Sequence, residues 1–289
     1  MNRRAVVFGA SGQLGVEVVR DLKSRNWEVA GWDRAQADIT DHQAIEAALA
    51  RFEPDAVFNT AAYNQVDVAE KDPQAAFQVN ALAVRTLALA CRQADARLIH
   101  FSTDYVFDGC GSRPYVETDP THPLGAYAVS KLGGELYAQA YLDSPLIVRT
   151  CGVYGPGGLH TARGNFLELM LRLAGSGNPI RVVEDHFASP TYAPLLAART
   201  IDLVERGQAG VFHVGGGQPI SWFEFAKLIF ETFGVNPALT PTNEKEYRTP
   251  ARRPKYSPLS NSKMESAGVA PMPSVAEALQ LYRAARPKL

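Results

Sequence analysis

Short apolar runs alternate with helical periodicities along the first half of this chain. Ala5-Val6-Val7-Phe8 is an apolar run that ends at Gly9, and Val16 to Leu22 follows with apolar residues at helical spacing. That order reads as strand, glycine turn and helix. Glu28 to Trp32 predicts a second strand ending at Asp33-Arg34, Asp41 is placed to cap a helix running to about Phe52, and Ala56 to Asn59 predicts a third strand. A long Ala/Leu-rich helix is expected from about Pro73 to Gln93, then a strand over Arg97 to Ser102. Helix returns around Tyr127 to Tyr141, and Leu146 to Arg149 is a further strand. Strands separated by helices predict an α/β fold, a doubly wound parallel sheet with right-handed crossovers.

The texture changes after Gly155. Pro156-Gly-Gly158 and Ala162-Arg-Gly164 mark a loop, Asn165 can cap a helix to about Ala174, and Ile180 to Val183 is a short strand. Thr191 to Glu205 reads as helix, and Val211 to Val214 runs into Gly215-Gly-Gly217. Ser221-Trp-Phe-Glu224 has the form of a capping box for a helix that stops at Gly234. Prolines are dense from Pro237 to Pro273, and Ser274 opens a closing helix. The expected organisation is a dinucleotide-binding domain over 1–152 with a return segment at about 189–214. A smaller substrate-binding domain is expected over 153–188 and 215–289.

Composition narrows the function. At 289 residues the chain can bury a sizeable core, and 46% apolar with 20% charged residues is ordinary for a globular protein. A net charge of −1 gives no reason to expect nucleic acid or an anionic membrane as partner. No apolar stretch is long enough for a signal peptide or a membrane span. Cys91, Cys110 and Cys151 form neither a disulfide framework nor a metal-ligand pattern, so a reducing cytoplasm is the expected location. The six histidines are scattered, and no metal site is expected.

The glycine turn is the first element with chemistry. Gly9-x-x-Gly12-x-x-Gly15 directly follows a strand and opens a helix, where glycines admit a pyrophosphate close to the backbone and the helix N-terminus offers N–H donors. Asp33, at the end of the second strand, stands where a carboxylate would hold the adenosine ribose, whereas its neighbour Arg34 could hold a 2′-phosphate. The two residues leave NAD and NADP both open. Asn59-Thr-Ala61-Ala62-Tyr63 and Ser102-Thr103-Asp104 lie after strands, where a doubly wound sheet builds its ligand crevice. Tyr127 and Lys131 are four apart on a predicted helix, so both can face one cleft, and the ammonium is expected to stabilise the phenolate. A hydroxyl of Ser102 or Thr103 could then hold a substrate carbonyl while Tyr127 donates its proton. Glu17, on the first helix, reads as a solvated surface carboxylate.

Ordered motif blocks add a resemblance. Gly9-x-x-Gly12-Gln-Leu-Gly15, Asp38-Ile-Thr-Asp41, Ala61-Ala-Tyr-x-x-Val-Asp67-x-Ala-Glu70, Ser102-Thr-Asp-Tyr-Val-Phe-Asp-Gly109, Pro114-Tyr-x-Glu117, Tyr127-x-x-Ser-Lys131-x-x-Gly-Glu135 and Arg149-Thr-x-x-Val-Tyr-Gly155 occur in that order. Together with Ser189-Pro-Thr191 and Arg253-Pro-x-x-Ser257-x-Leu259, they resemble the dTDP-4-dehydrorhamnose reductase family of extended short-chain dehydrogenase/reductases. The resemblance implies an NAD(P)-binding Rossmann fold and a reductase that passes hydride from NADPH or NADH to the C4 ketone of a nucleotide-linked deoxysugar. It implies Tyr127 as proton donor, Lys131 on the nicotinamide ribose, Thr103 on the sugar ketone and Asp104 near the sugar. Ser11, Gly12, Gln13, Leu14, Gly15, Asp38, Ile39, Ala61, Ala62 and Tyr63 would line the cofactor. Arg253, with its planar fork, is the candidate for the substrate diphosphate.

Two departures fall on the substrate side. Gly152 stands where the family usually has Trp, which is expected to leave room for a differently substituted sugar, and the loop from Gly155 to Gly164 looks longer than usual. A regulatory subunit of methionine adenosyltransferase resembles the same family, so a non-catalytic NADP-binding protein is an alternative. Another is a different extended nucleotide-sugar epimerase or reductase. A homodimer is what the superfamily suggests.

Overall fold

The computed structural model describes residues 3–160 and 164–286, and the expected loop at Ala162-Arg163 lies outside them. Chain order begins with β1 (Arg4–Phe8), α1 (Gly15–Ser24), β2 (Glu28–Trp32), α2 (His42–Phe52) and β3 (Ala56–Asn59). The Asp41 carboxylate caps α2 by accepting from the Gln43 and Ala44 amides. A single turn, α3 (Val66–Ala69), precedes α4 (Pro73–Phe77) and α5 (Ala83–Gln93). The long helix expected from Pro73 to Gln93 is thus present but interrupted by a π turn over Gln78–Leu82, a feature common at functional sites. β4 (Arg97–Thr103), α6 (Ala126–Tyr141) and β5 (Leu146–Thr150) complete the first half.

The second half contains α7 (Phe166–Gly175), β6 (Ile180–Val183), β7 (Phe187–Ala188), α8 (Ala193–Glu205), β8 (Gly210–His213), β9 (Ile220–Ser221), α9 (Trp222–Phe233), β10 (Leu239–Thr242), α10 (Ser262–Ser266) and α11 (Val275–Ala285). Helix α8 starts later than its periodicity suggests. Thr191 and Tyr192 stay extended, pairing with Tyr154, and Pro194 sits in the first turn, where its missing N–H costs nothing. Ser221 does cap α9 by accepting from the Glu224 amide. The reciprocal capping box is at α11, between Ser274 and Glu277.

Six strands form one parallel sheet in the order β2-β1-β3-β4-β5-β8. Alternation along each strand feeds both faces. Ala5 and Val7 join Val18, Leu22, Leu196 and Ile201 beneath α1 and α8, while Val6 and Phe8 join Ile45, Leu49, Leu87 and Ala138 beneath α2, α5 and α6. Burial on both faces is what a parallel sheet requires. The register brings Phe8 beside Asn59 and Thr103 beside Thr150, so the carboxyl ends of β1, β3, β4 and β5 share one edge.

A separate core of Tyr154, Leu167, Met170, Ile180, Phe225, Ile229, Leu279 and Tyr282 holds α7, α9, α11 and β6 together. β6 occurs over the expected Ile180–Val183, but its partner β10 and the pair β7/β9 were not apparent from sequence pattern, since two to four residues carry too little periodicity. Glu17 is a correction: its side chain is 3% exposed, ion-paired to Arg20, and burial raises its pKa. Among the described residues no helix is long and apolar enough to cross a membrane.

Candidate functional site

Two clefts open at the carboxyl edge of the sheet, and Asp104 lines both. The first, about 780 Å³, runs from the glycine turn across the ends of β3 and β4 to α6. Of the residues singled out from sequence, Gly9, Ser11, Gly12, Gln13, Leu14, Arg34, Asp38, Ile39, Ala61, Ala62, Tyr63, Thr103, Asp104, Tyr127, Lys131 and Gly152 line it. Gly15, Asp33 and Arg253 do not.

Gly15 works from beneath. A Cβ there would meet the Gly9 carbonyl oxygen at 2.2 Å and Ala10 Cα at 2.8 Å, so only glycine lets α1 begin this close to the turn. No side chain caps α1, and its Val16 and Glu17 amides donate to the Gly12 and Leu14 carbonyls of the turn itself. Gln13 then pins the turn, donating to the Val153 carbonyl at 2.7 Å and accepting from Asn165 at 2.8 Å. The glycine cradle thus lines one end of the cleft, at the start of α1. Asp33 turns instead to its own loop, accepting from the Ala35 and Gln36 amides. Arg34 reaches into the cleft with its side chain 86% exposed, steadied by Asp38 at 2.9 Å.

The π turn has a purpose that sequence pattern concealed. Asn80, which it carries, accepts from the Tyr63 amide and donates to the Tyr63 carbonyl, both at 2.9 Å. Its amide also donates to Ser130 Oγ at 3.0 Å, and Ser130 donates to the Tyr127 carbonyl. One buried amide therefore ties the β3 loop to the helix bearing Tyr127 and Lys131. Its only sequence signal was an Asn inside an otherwise Ala/Leu-rich helix.

Tyr127 stands in the first turn of α6, half-buried, with its ring edge-on to Tyr105. Burial pushes the phenol up to about 12, a side-chain hydrogen bond with Thr103 pulls the other way, and Asp104 and Cys151 raise it further. The expected depression by Lys131 is not present. Lys131 Nζ instead donates to the Phe101 carbonyl at 2.6 Å. Burial lowers the Lys131 ammonium to about 8, opposed by Glu135. Glu135 is itself buried, accepting from Ser102 and bidentately from Arg149. The Ser102 hydroxyl is thereby committed to Glu135, while Thr103 Oγ1 keeps to the cleft side, 3.1 Å from Asp104 Oδ1. Asp104 is 2% exposed, and burial raises its carboxyl to about 6 against hydrogen bonds from Ser257 (2.5 Å), Cys151 and Thr103.

The second cleft, about 670 Å³, lies between Asp104 and the C-terminal elements. Arg181, Lys245, Arg248, Arg252 and Arg253 give it a cationic lining, with Phe166, Trp222 and Tyr247 as its aromatic part. Asp67 and Glu244 also line it: Asp67 takes the Arg253 fork through contacts of 2.8 and 3.0 Å, and Arg181 is ion-paired to Glu246. Gly152 requires a correction. The space that a side chain there would enter is filled by the tip of the Trp222 ring, 3.0 Å from an added Cβ, so its missing side chain opens no room.

A parallel sheet with a glycine cradle at one end of its crevice and a Tyr/Lys/Thr set at the other defines a Rossmann-type dehydrogenase/reductase of the extended short-chain class. A family model described as the RmlD substrate binding domain matches residues 3–286. The spore coat polysaccharide biosynthesis protein SpsK of Bacillus subtilis is 39% identical, over 93% of each chain. The dTDP-4-dehydrorhamnose reductase of Streptomyces griseus is 38% identical, over 93% of this chain and 89% of its own. The crystal structure of dTDP-4-dehydrorhamnose reductase from Bacillus anthracis in complex with NADP superposes with a TM-score of 0.94 at 32% identity, covering 99% of this chain and all of the other. The chain belongs to the dTDP-4-dehydrorhamnose reductase family.

Proposed function

We propose that this protein is an NADPH-dependent reductase of a dTDP-linked 4-keto-6-deoxysugar, dTDP-4-dehydrorhamnose in the family's type reaction. The observation that carries the reading is the convergence of Tyr127, Thr103 and Lys131 on a cleft whose other end is the glycine cradle. NADPH, when bound, supplies hydride to the ketone carbon. Thr103 hydrogen-bonds the ketone oxygen, and Tyr127 delivers the proton that this oxygen takes up, so alkoxide charge is not left unstabilised. Lys131, which lines the same cleft with its Nζ on the Phe101 carbonyl, would hold the cofactor ribose. Arg34 in the cleft, with Asp33 occupied in its own turn, favours the 2′-phosphate of NADPH. Arg253, exchanging Asp67 for phosphate, and its neighbours Lys245, Arg248 and Arg252 take the substrate diphosphate, in a cleft that the smaller domain of 153–188 and 215–289 shares with Asp67, Asp104 and Tyr105.

The protein acts in a reducing cytoplasm, in keeping with free thiols at Cys91, Cys110 and Cys151. It pairs as a homodimer, for which the exposed Phe77, Leu82, Val129 and Leu136 on α4, the π turn and α6 offer an apolar face. Steady loss of NADPH absorbance on adding dTDP-4-dehydrorhamnose is the expected result. Tight NADPH binding without turnover of any nucleotide-linked keto-sugar would instead favour the non-catalytic alternative.

A further inference from the structure

We infer that Trp222, delivered by α9, is the aromatic wall of the sugar site and a determinant of which sugar is accepted. The inference rests on the reductase reading above. Gly152 and the tip of the Trp222 ring meet at the joint between the two clefts. Gly152 lines the cofactor cleft, Trp222 lines the cationic cleft, and Asp104 faces both. A substrate whose diphosphate meets the cations while its ketone reaches Tyr127 and Thr103 must thread its sugar ring through this joint.

The indole is fixed there rather than free. Its backbone amide donates to the His186 carbonyl at 3.1 Å, and its ring packs on Phe166 at 4.7 Å and edge-on to Phe225 at 6.1 Å. Its tip abuts Gly152, whose φ of +49° is a conformation that side chains adopt only with strain. Glycine at 152 and tryptophan at 222 are therefore complementary in size. A side chain at 152 would press on the indole tip, so the ring from α9 closes this corner. An indole face suits the C–H face and methyl group of a 6-deoxyhexose, which are apolar, and leaves the hydroxyl edge to Asp104 and its neighbours.

The experiment compares Trp222→Ala and Trp222→Phe with wild type in steady-state kinetics, NADPH binding and indole fluorescence. Trp222→Ala is expected to raise KM for the keto-sugar nucleotide about tenfold, the worth of one good aromatic contact. NADPH affinity should be unchanged, which also shows that the fold is intact. Trp222→Phe, which keeps the packing on Phe166, should fall between the two and covers the case in which the alanine variant fails to bind NADPH. Indole emission should change on adding dTDP-L-rhamnose, much less with dTDP alone, and not at all in Trp222→Phe. An unchanged KM in both variants, or equal fluorescence responses to dTDP and dTDP-L-rhamnose, overturns the assignment. A wild-type enzyme that reduces no keto-sugar overturns the reductase reading instead, and the fluorescence comparison then still decides whether Trp222 faces the sugar.

Discussion

Asp104 offers a quantitative test because burial dominates its environment and predicts a pH dependence. Its carboxyl is 2% exposed and titrates at about 6 in the folded protein, raised from 3.8 by burial and only partly relieved by Ser257, Cys151 and Thr103. A raised folded-state value means that the native protein binds the proton more tightly than the unfolded chain. The stabilisation is full below the unfolded value near 3.8 and is lost as pH rises through 6. A shift of roughly two units corresponds to about 3 kcal/mol in total, of which roughly 2 kcal/mol falls between about pH 4 and pH 7. Asp104→Asn removes the titration while keeping the size and most of the hydrogen-bonding capacity. Urea unfolding of both proteins across this range should show the Asp104→Asn variant gaining on wild type by that amount as pH rises, whatever the constant offset between them. A difference that stays flat from about pH 4 to pH 7 would refute the argument that burial dominates this carboxyl.

The remaining predictions concern the cofactor cleft and the proton. Tyr127→Phe should lower kcat by about two to four orders of magnitude, the usual worth of a positioned general acid, with NADPH affinity preserved because the ring still packs on Tyr105. Full activity in that variant would show that another group donates the proton. Gly15→Ala should weaken NADPH binding at least about fivefold in a fluorescence titration, since the added methyl would meet backbone at 2.2 Å and overpacking of this kind costs about 1–3 kcal/mol. Arg34→Ala should raise KM for NADPH roughly fivefold and leave NADH unaffected, a small effect because the guanidinium is solvent-exposed. Equal losses with both cofactors would remove Arg34 from recognition of the 2′-phosphate.

Much of this protein was legible in one dimension. β2, α2, β3 and β6 occur over the residues that their patterns indicate; the fully buried β3 must be apolar on both faces, and a capped helix such as α2 declares its start. The glycine turn and the Tyr/Lys spacing were equally readable, since a close approach of backbone and a shared helix face impose residue types at fixed intervals. Tertiary structure alone decided how those groups behave. Lys131 turns to the Phe101 carbonyl, Ser102 is taken by Glu135, and Asp33 closes on its own loop, because each finds a partner brought from elsewhere by the sheet or the local backbone. The same reason hid Asn80 and Trp222. Their roles depend on which loop lies 2.9 Å from a buried amide and which glycine lies under a ring tip, and no spacing within their own helices records either.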